Sequence, residues 1–419
     1  MEQFEKAYPT ADVLTRQARE NLWTLPYQED VHPLRQPLTL HGKTIPNRLL
    51  AQPIEGFDAQ ADGSPSQRTV RRYQALAAGG SGSLWMESVS VNHQGRSNPR
   101  QLWITSENME AFRDMVCQIR AASQQPVYLI LQLTHSGRNS NPDGIPTPMC
   151  AFHSRAISKD EETILTDEDL EALEEDYFCA AELAKAAGFD AVDIRACHGY
   201  LINELFAAVD RPGKYGGSFE NRIRLMMNIV ERVQKIQGLE IGVRLNLFDG
   251  IPYPDGWGVN PQTGQMDLTE PLELVRRLYH KGVRLLNISC GVGAYSPHLI
   301  RPYDRGGPEA PEPPLAGVCR LQECARLVKQ EAPKALVVAS GFSWLRQYAG
   351  PVAAGGVAAG YYDLAGFGRQ SIADTQYANH ILAGNPEKIN FCRCCCGCTT
   401  LIKKSGKQLR CVFRKELEI

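Results

Sequence analysis

The stretch DAVDIRACHGYLINELFAAVDRPGKYGGSFENRIR, Asp190 to Arg224, joins a short apolar run to a polar, aromatic-bearing loop. Ala191-Val192-Asp193-Ile194 has the near-continuous apolar character of a parallel strand covered on both faces. Arg195, Cys197, His198 and Tyr200 follow at its carboxyl end. Catalysis sits at that end in parallel α/β folds, so these residues are the first candidates for chemistry.

Working outward, the same pattern recurs. RLLAQPI (48–54), SGSLWMESV (81–89), VYLILQLTH (127–135), IGVRLNLFD (241–249), RLLNISCGV (284–292), ALVVASGF (335–342) and YYDLAGFGR (361–369) are short apolar runs, each followed by a loop and a helical segment. With the opening stretch they make eight, which predicts a closed (β/α)8 TIM barrel before an open sheet. The helix ahead of Asp190 shows the helical period. Thr166 is a cap with Asp169 three residues on, and Leu170, Leu173, Tyr177, Ala181 and Ala184 form one apolar stripe. Residues 37–46 alternate around His41-Gly42, which predicts a hairpin plugging the bottom of the barrel. Long loops at 136–164, 250–268 and 291–315 each follow a strand and so belong to the substrate side.

A chain of 419 residues accommodates one barrel with extensions at both ends. The division expected is an N-terminal extension over 1–36, a barrel over 37–385 and a Cys-rich segment over 386–419. A net charge of -2 gives no electrostatic reason to expect nucleic acid or an anionic membrane as partner. The N-terminus lacks the basic region and apolar run of a signal peptide, and no stretch is long enough to span a bilayer, so the cytoplasm is the default.

Six of the thirteen cysteines crowd between Cys392 and Cys411. Cys392-x2-Cys395-x2-Cys398-x12-Cys411 suits a [4Fe-4S] cluster or a tetrahedral zinc, and spacing alone leaves both open. Cys394 and Cys396 leave the register open by a residue or two. Lys403, Lys404, Lys407, Arg410 and Arg414 read first as a solvated face. Near the ends of the last two strands, Gly341 and Gly368 let backbone approach a phosphate, with Arg369 as a charged partner. That is the usual barrel phosphate site, and flavin mononucleotide (FMN) is a natural ligand for it.

Several motifs occur together in order: Asn47-Arg48 with Pro53, Gly79-Gly80 with Glu87, Gln132 to Arg138, His198-Gly199-Tyr200-Leu201, Tyr215 to Arg222, Val243-Arg244-Leu245 and Gly366 to Arg369. This set resembles the Old Yellow Enzyme family of FMN-dependent oxidoreductases over roughly the whole barrel. The Cys-rich tail resembles the family's cluster-bearing branch, with 2,4-dienoyl-CoA reductase, 2-enoate reductase and trimethylamine dehydrogenase. The resemblance implies that Pro53 and Ile54 lie against the flavin rings and that Gln132 bonds their pyrimidine end. It also implies that Arg244 approaches N1, that Gly341, Gly368 and Arg369 hold the phosphate, and that Glu55 and Glu87 belong to the cofactor-contacting set. It makes Tyr200 the proton donor to a C=C bond, with His198 and Arg195 on the substrate oxygen, and it favours the cluster over zinc at Cys392, Cys395, Cys398 and Cys411.

Two departures matter. Arg195 stands where the family commonly has histidine, and it points to an acidic substrate or to an ion pair with Glu55 or Glu87 across the barrel mouth. Glu55 stands where relatives have Thr or Cys, so no covalent flavin link is expected. Whether Glu55 faces the flavin or Arg195 is not legible. No GxGxxG follows a strand, so no second flavin domain is expected. Electrons then come from NADH or NADPH in the same pocket, or pass through a separate electron-transfer protein. The expected reaction is reduction of an activated C=C in a small unsaturated carbonyl or carboxylate compound. The rivals are an amine dehydrogenase or N-demethylase, and a non-catalytic electron-transfer subunit. A homo-oligomer is compatible with all of these.

Overall fold

The computed structural model describes residues 2–158, 161–405 and 408–414. Lys407, one of the tail's basic residues, lies outside them. Eight strands form the barrel: β1 Leu49–Ala51, β2 Ser83–Ser90, β3 Tyr128–Thr134, β4 Ala191–Ile194, β5 Glu240–Asn246, β6 Leu285–Ser289, β7 Leu336–Ala339 and β8 Leu364–Phe367. Each pairs in parallel with the next, and β8 closes on β1 through Ala365–Leu49, Gly366–Leu50 and Phe367–Ala51. Every residue of β4 and of β5 is buried, including the polar Asp193, Glu240, Arg244 and Asn246 that stand among their apolar positions.

The lower interior is a separate apolar cluster of Leu50, Trp85, Tyr128, Ile130, Ala191, Leu285, Leu336, Val338 and Leu364. Leu40 and Ile45 close it from below, carried by a hairpin of Leu38–Leu40 paired with Lys43–Ile45. Its turn residues His41 and Gly42 both have positive φ, 43° and 79°, as a tight two-residue hairpin turn requires. Lys43 Nζ donates to Asp190 Oδ1 at 2.9 Å, pinning the hairpin to the entry of β4. With the bottom plugged in this way, the chemistry is left to the opposite rim.

Outside the barrel, Asp167–Ala186 is the longest helix. Thr166 and Asp169 form a reciprocal capping box, and Leu170, Leu173, Tyr177, Ala181 and Ala184 are all buried. The three long loops follow β3, β5 and β6 and so gather at the carboxyl rim. The N-terminal segment forms helices Glu2–Ala7 and Ala11–Glu20. Phe4 and Tyr8 meet Trp344 edge-on, at centroid distances of 4.9 and 5.7 Å, so this segment braces the turn that carries Gly341. Among the described residues no helix is long and apolar enough to cross a membrane.

Candidate active site

A cavity of about 670 Å³ opens at the carboxyl rim, within the usual range of about 300–1,000 Å³ for small-molecule sites. Pro53, Ile54 and Glu55 after β1, Gln132 on β3, Arg195, His198 and Tyr200 after β4, and Arg244 on β5 all line it. Gly341, Gly368 and Arg369 line it from the ends of β7 and β8. Glu87 does not. It lies behind the wall and accepts from the Gly56 N–H at 2.7 Å and from Tyr73 Oη at 3.2 Å, and it pairs with the Arg72 guanidinium. Arg72 also holds Asp58, so Glu87 fixes the loop after β1 from outside the cavity.

Two polar groupings set the cavity floor. Gln52 Nε2 donates to Asn287 Oδ1 and Ser340 Oγ, both at 3.0 Å, and Asn287 Nδ2 returns a bond of 2.8 Å to Gln52 Oε1. Asp193 accepts from Trp85 Nε1 at 2.7 Å, Gln132 Nε2 at 2.6 Å and the Arg244 N–H at 2.6 Å. It thereby sets the orientation of Gln132 and the register of Arg244. Burial pushes the Asp193 carboxyl up to about 6 despite these donors.

Arg195 pairs with Glu55, not with Glu87. Its Nη1 is 2.8 Å from Glu55 Oε1, and the same oxygen accepts from Tyr200 Oη at 3.0 Å and Ser88 Oγ at 2.6 Å. So Glu55 turns toward Arg195, and the oxyanion role expected of Arg195 competes with an internal carboxylate. His198 has φ 65° and Gly199 φ 76°. A left-handed histidine is uncommon, costs of order 1–3 kcal/mol, and occurs preferentially at functional sites. His198 Nε2 lies 2.7 Å from Ser289 Oγ. Burial, then the charges of Arg244, Arg195 and Arg301, hold its pKa well below the ordinary range, so the ring is neutral.

The model of the NADH:flavin oxidoreductase / NADH oxidase family matches residues 33–388. The chain belongs to that family. It is therefore a flavin-dependent oxidoreductase of Old Yellow Enzyme type. It is 30% identical over 277 residues to an NADPH dehydrogenase of Halalkalibacterium halodurans, covering 65% of this chain and 76% of that protein. Its fold is similar to that of a 2-naphthoyl-CoA reductase in complex with 2-naphthoyl-CoA, with TM-score 0.73 at 22% identity over 88% of this chain. It is also similar to that of a histamine dehydrogenase from Rhizobium sp. 4-9, with TM-score 0.71 at 22% identity over 91% of this chain. The chain spans about half of those two, 55% and 52% of their lengths.

The FMN of this family fits the groups the cavity leaves open. Arg244 is 8% exposed, and its guanidinium has no hydrogen bond or ion pair among the described residues. Arg369 spends Nη2 on the Pro302 carbonyl at 2.5 Å and leaves Nη1 buried without a partner. Gly341 takes φ 98°, a conformation that favours glycine and keeps the backbone bare beside the cavity.

The tail packs onto this same end, where Cys398, Thr399, Ile402 and Leu409 line the cavity. The Cys392 N–H donates to Gln370 Oε1 at 2.9 Å, tying the tail to the segment after β8. A hydrogen bond from Cys394 and the charge of Arg369 bring the Cys392 thiol down to about 6. The donor chemistry is that of a thiolate metal site. Among the described residues no three His, Cys, Asp or Glu side chains stand grouped as they would around a bound metal ion. Cys394, outside the expected set of Cys392, Cys395, Cys398 and Cys411, is the more deeply buried, with Sγ 3.5 Å from the Ser343 carbonyl.

Sequence reasoning passed over Asp193, Gln52, Ser88 and Arg301. Asp193 had a visible signal, a carboxylate inside an apolar strand. Arg301 had none, because it sits in a long loop without periodicity.

Proposed function

We propose that this chain is an FMN-dependent reductase of activated C=C bonds, acting on small α,β-unsaturated carbonyl or carboxylate compounds. The observation that carries the reading is that Tyr200 and His198 face the same cavity as the partnerless Arg244 and the half-satisfied Arg369. In this reading Pro53, Ile54, Gln132, Arg244, Gly341, Gly368 and Arg369 hold FMN, and Glu87 supports them through the Gly56 loop. FMN bound there would supply the hydride that adds to the β-carbon. Tyr200 gives its phenolic proton to the α-carbon. Arg195, stacked on the Tyr200 ring, offsets the negative charge left on the phenolate. The neutral His198 presents its ring to the substrate oxygen.

NADH or NADPH is the proposed electron donor, binding in the same cavity, in line with the family. The tail over 386–419 is proposed as a [4Fe-4S]-binding segment on its cysteine spacing, following a barrel over 37–385 and an extension over 1–36. A separate electron-transfer protein is the alternative donor, and a cytoplasmic location and a homo-oligomer are compatible with it. A cationic amine substrate is disfavoured, because among the described residues five arginines line the cavity and the one lining carboxylate, Glu55, is already paired. Anaerobic titration of the FMN-loaded protein with NADH and NADPH separately tests the donor. Bleaching by one of them supports direct reduction, and no bleaching by either contradicts it.

A further inference from the structure

Arg301 is a cavity-lining cation that the flavin reading leaves without a task. Of the five lining arginines, Arg138 pairs with Glu162 and Glu204, and Arg195 pairs with Glu55. Arg244 and Arg369 take the proposed flavin and its phosphate. The Arg301 guanidinium has no hydrogen bond or ion pair among the described residues, and its Nε is fully buried. Among the described residues Glu55 is the one carboxylate lining the cavity, and its Oε1 already receives Arg195, Tyr200 and Ser88.

Its position is fixed from both sides. Arg301 ends the short helix Pro297–Ile300, and its N–H donates to the Pro297 carbonyl at 3.2 Å. Just before that helix, Ser296 Oγ donates to the Asp249 carbonyl at 2.6 Å and accepts from the Val292 N–H at 2.9 Å. Just after it, the Pro302 carbonyl accepts from Arg369 Nη2. Arg301 lines the same cavity as His198 and Cys398, and its charge reaches both.

We propose that Arg301 binds an anionic group of the substrate, a carboxylate close to the double bond, and so selects unsaturated acids over neutral enones. The proposal rests on the ene-reductase reading for what the substrate is. A partly buried guanidinium without a counter-ion favours a ligand that brings one, because charge-assisted bonds to a carboxylate are the strong ones. A neutral analogue leaves the cation unpaired, and sites built for a polar partner reject ligands that lack it. The sequence pointed to Arg195 for this task, but the ion pair with Glu55 moves it to Arg301.

The test titrates the FMN-loaded protein with cinnamate and, separately, with cinnamamide, reading the flavin absorbance change. It uses the unaltered chain, Arg301→Met and Arg301→Lys, with FMN content measured for each. Arg301→Met should weaken cinnamate binding by about tenfold or more while changing cinnamamide by less than about twofold, and Arg301→Lys should recover part of the loss. Equal effects on both ligands overturn the proposal, as does an unchanged cinnamate affinity. Loss of FMN with cinnamate affinity intact in the loaded fraction also overturns it, and makes Arg301 a phosphate clamp. Cinnamate binding that depends on Arg301 in a protein that reduces no alkene keeps the anion site and rejects the ene-reductase reading.

Discussion

Arg195 lies over the Tyr200 ring, with its guanidinium carbon 3.4 Å from the ring centroid, and both side chains reach the same oxygen of Glu55. Two effects on the phenol oppose each other. Burial raises its pKa, and the Arg195 charge lowers it; burial is the larger, so Tyr200 holds its proton in neutral solution. It gives that proton up only to a strong acceptor such as the carbon left negative by hydride addition. The arginine is then already in place to stabilise the phenolate.

Tyr200→Phe should therefore slow alkene reduction by roughly 10²–10⁴-fold and leave flavin reduction by the nicotinamide donor within about twofold. Stopped-flow measurement of the two half-reactions separates them. Equal losses in both would remove Tyr200 from the donor role.

Glu87→Ala should leave the Arg72 charge buried with half of its partners. Breaking such a pair costs roughly 3–5 kcal/mol, visible as a lower urea midpoint. The Gly56 N–H loses its acceptor in the same variant, so FMN affinity should also fall.

Glu87 also shows where sequence legibility ends. An acidic residue in an apolar strand looks the same whether it faces a ligand or an arginine behind the wall, and here Arg72, on the preceding helix, decides it. The strands themselves were legible because parallel strands buried on both faces keep short apolar runs even where a polar residue such as Gln132 or Asn287 interrupts them. The residues of the rim were legible one by one, but their pairings were not. Arg195 and Glu55 are 140 residues apart, and only closure of the barrel makes them partners. The tail marks a second boundary, since its spacing names four thiols while the fold buries Cys394 most deeply.

Burial of His135 pushes its pKa down to about 4, against about 6.5 in an unfolded chain. As pH falls below about 6.5 the unfolded state takes up a proton that the folded state refuses until about 4. The stabilisation is thus full above pH 6.5 and is lost on acidification, by roughly 3 kcal/mol at pH 4. His135→Asn, whose Oδ1 can replace the ring Nδ1 that accepts from the Gly137 N–H, should flatten the stability profile between pH 4 and 6.5 by about one proton. An unchanged slope in denaturant titrations across that range would count against it.

Iron and acid-labile sulfide, measured after anaerobic purification, test the tail. Cys411→Ser should lose most of both, and Cys394→Ser should keep them. The reverse outcome would shift the register, and zinc in place of iron would replace the cluster.

The most direct test of the central claim is anaerobic reoxidation of the donor-reduced, FMN-loaded chain by an unsaturated acid or enone, with product counted against flavin. The account predicts about one saturated product per reduced flavin, with one new hydrogen drawn from solvent and one from the donor. A flavin that stays reduced with every such acceptor, yet is bleached from its oxidised form by an alkylamine, would contradict it.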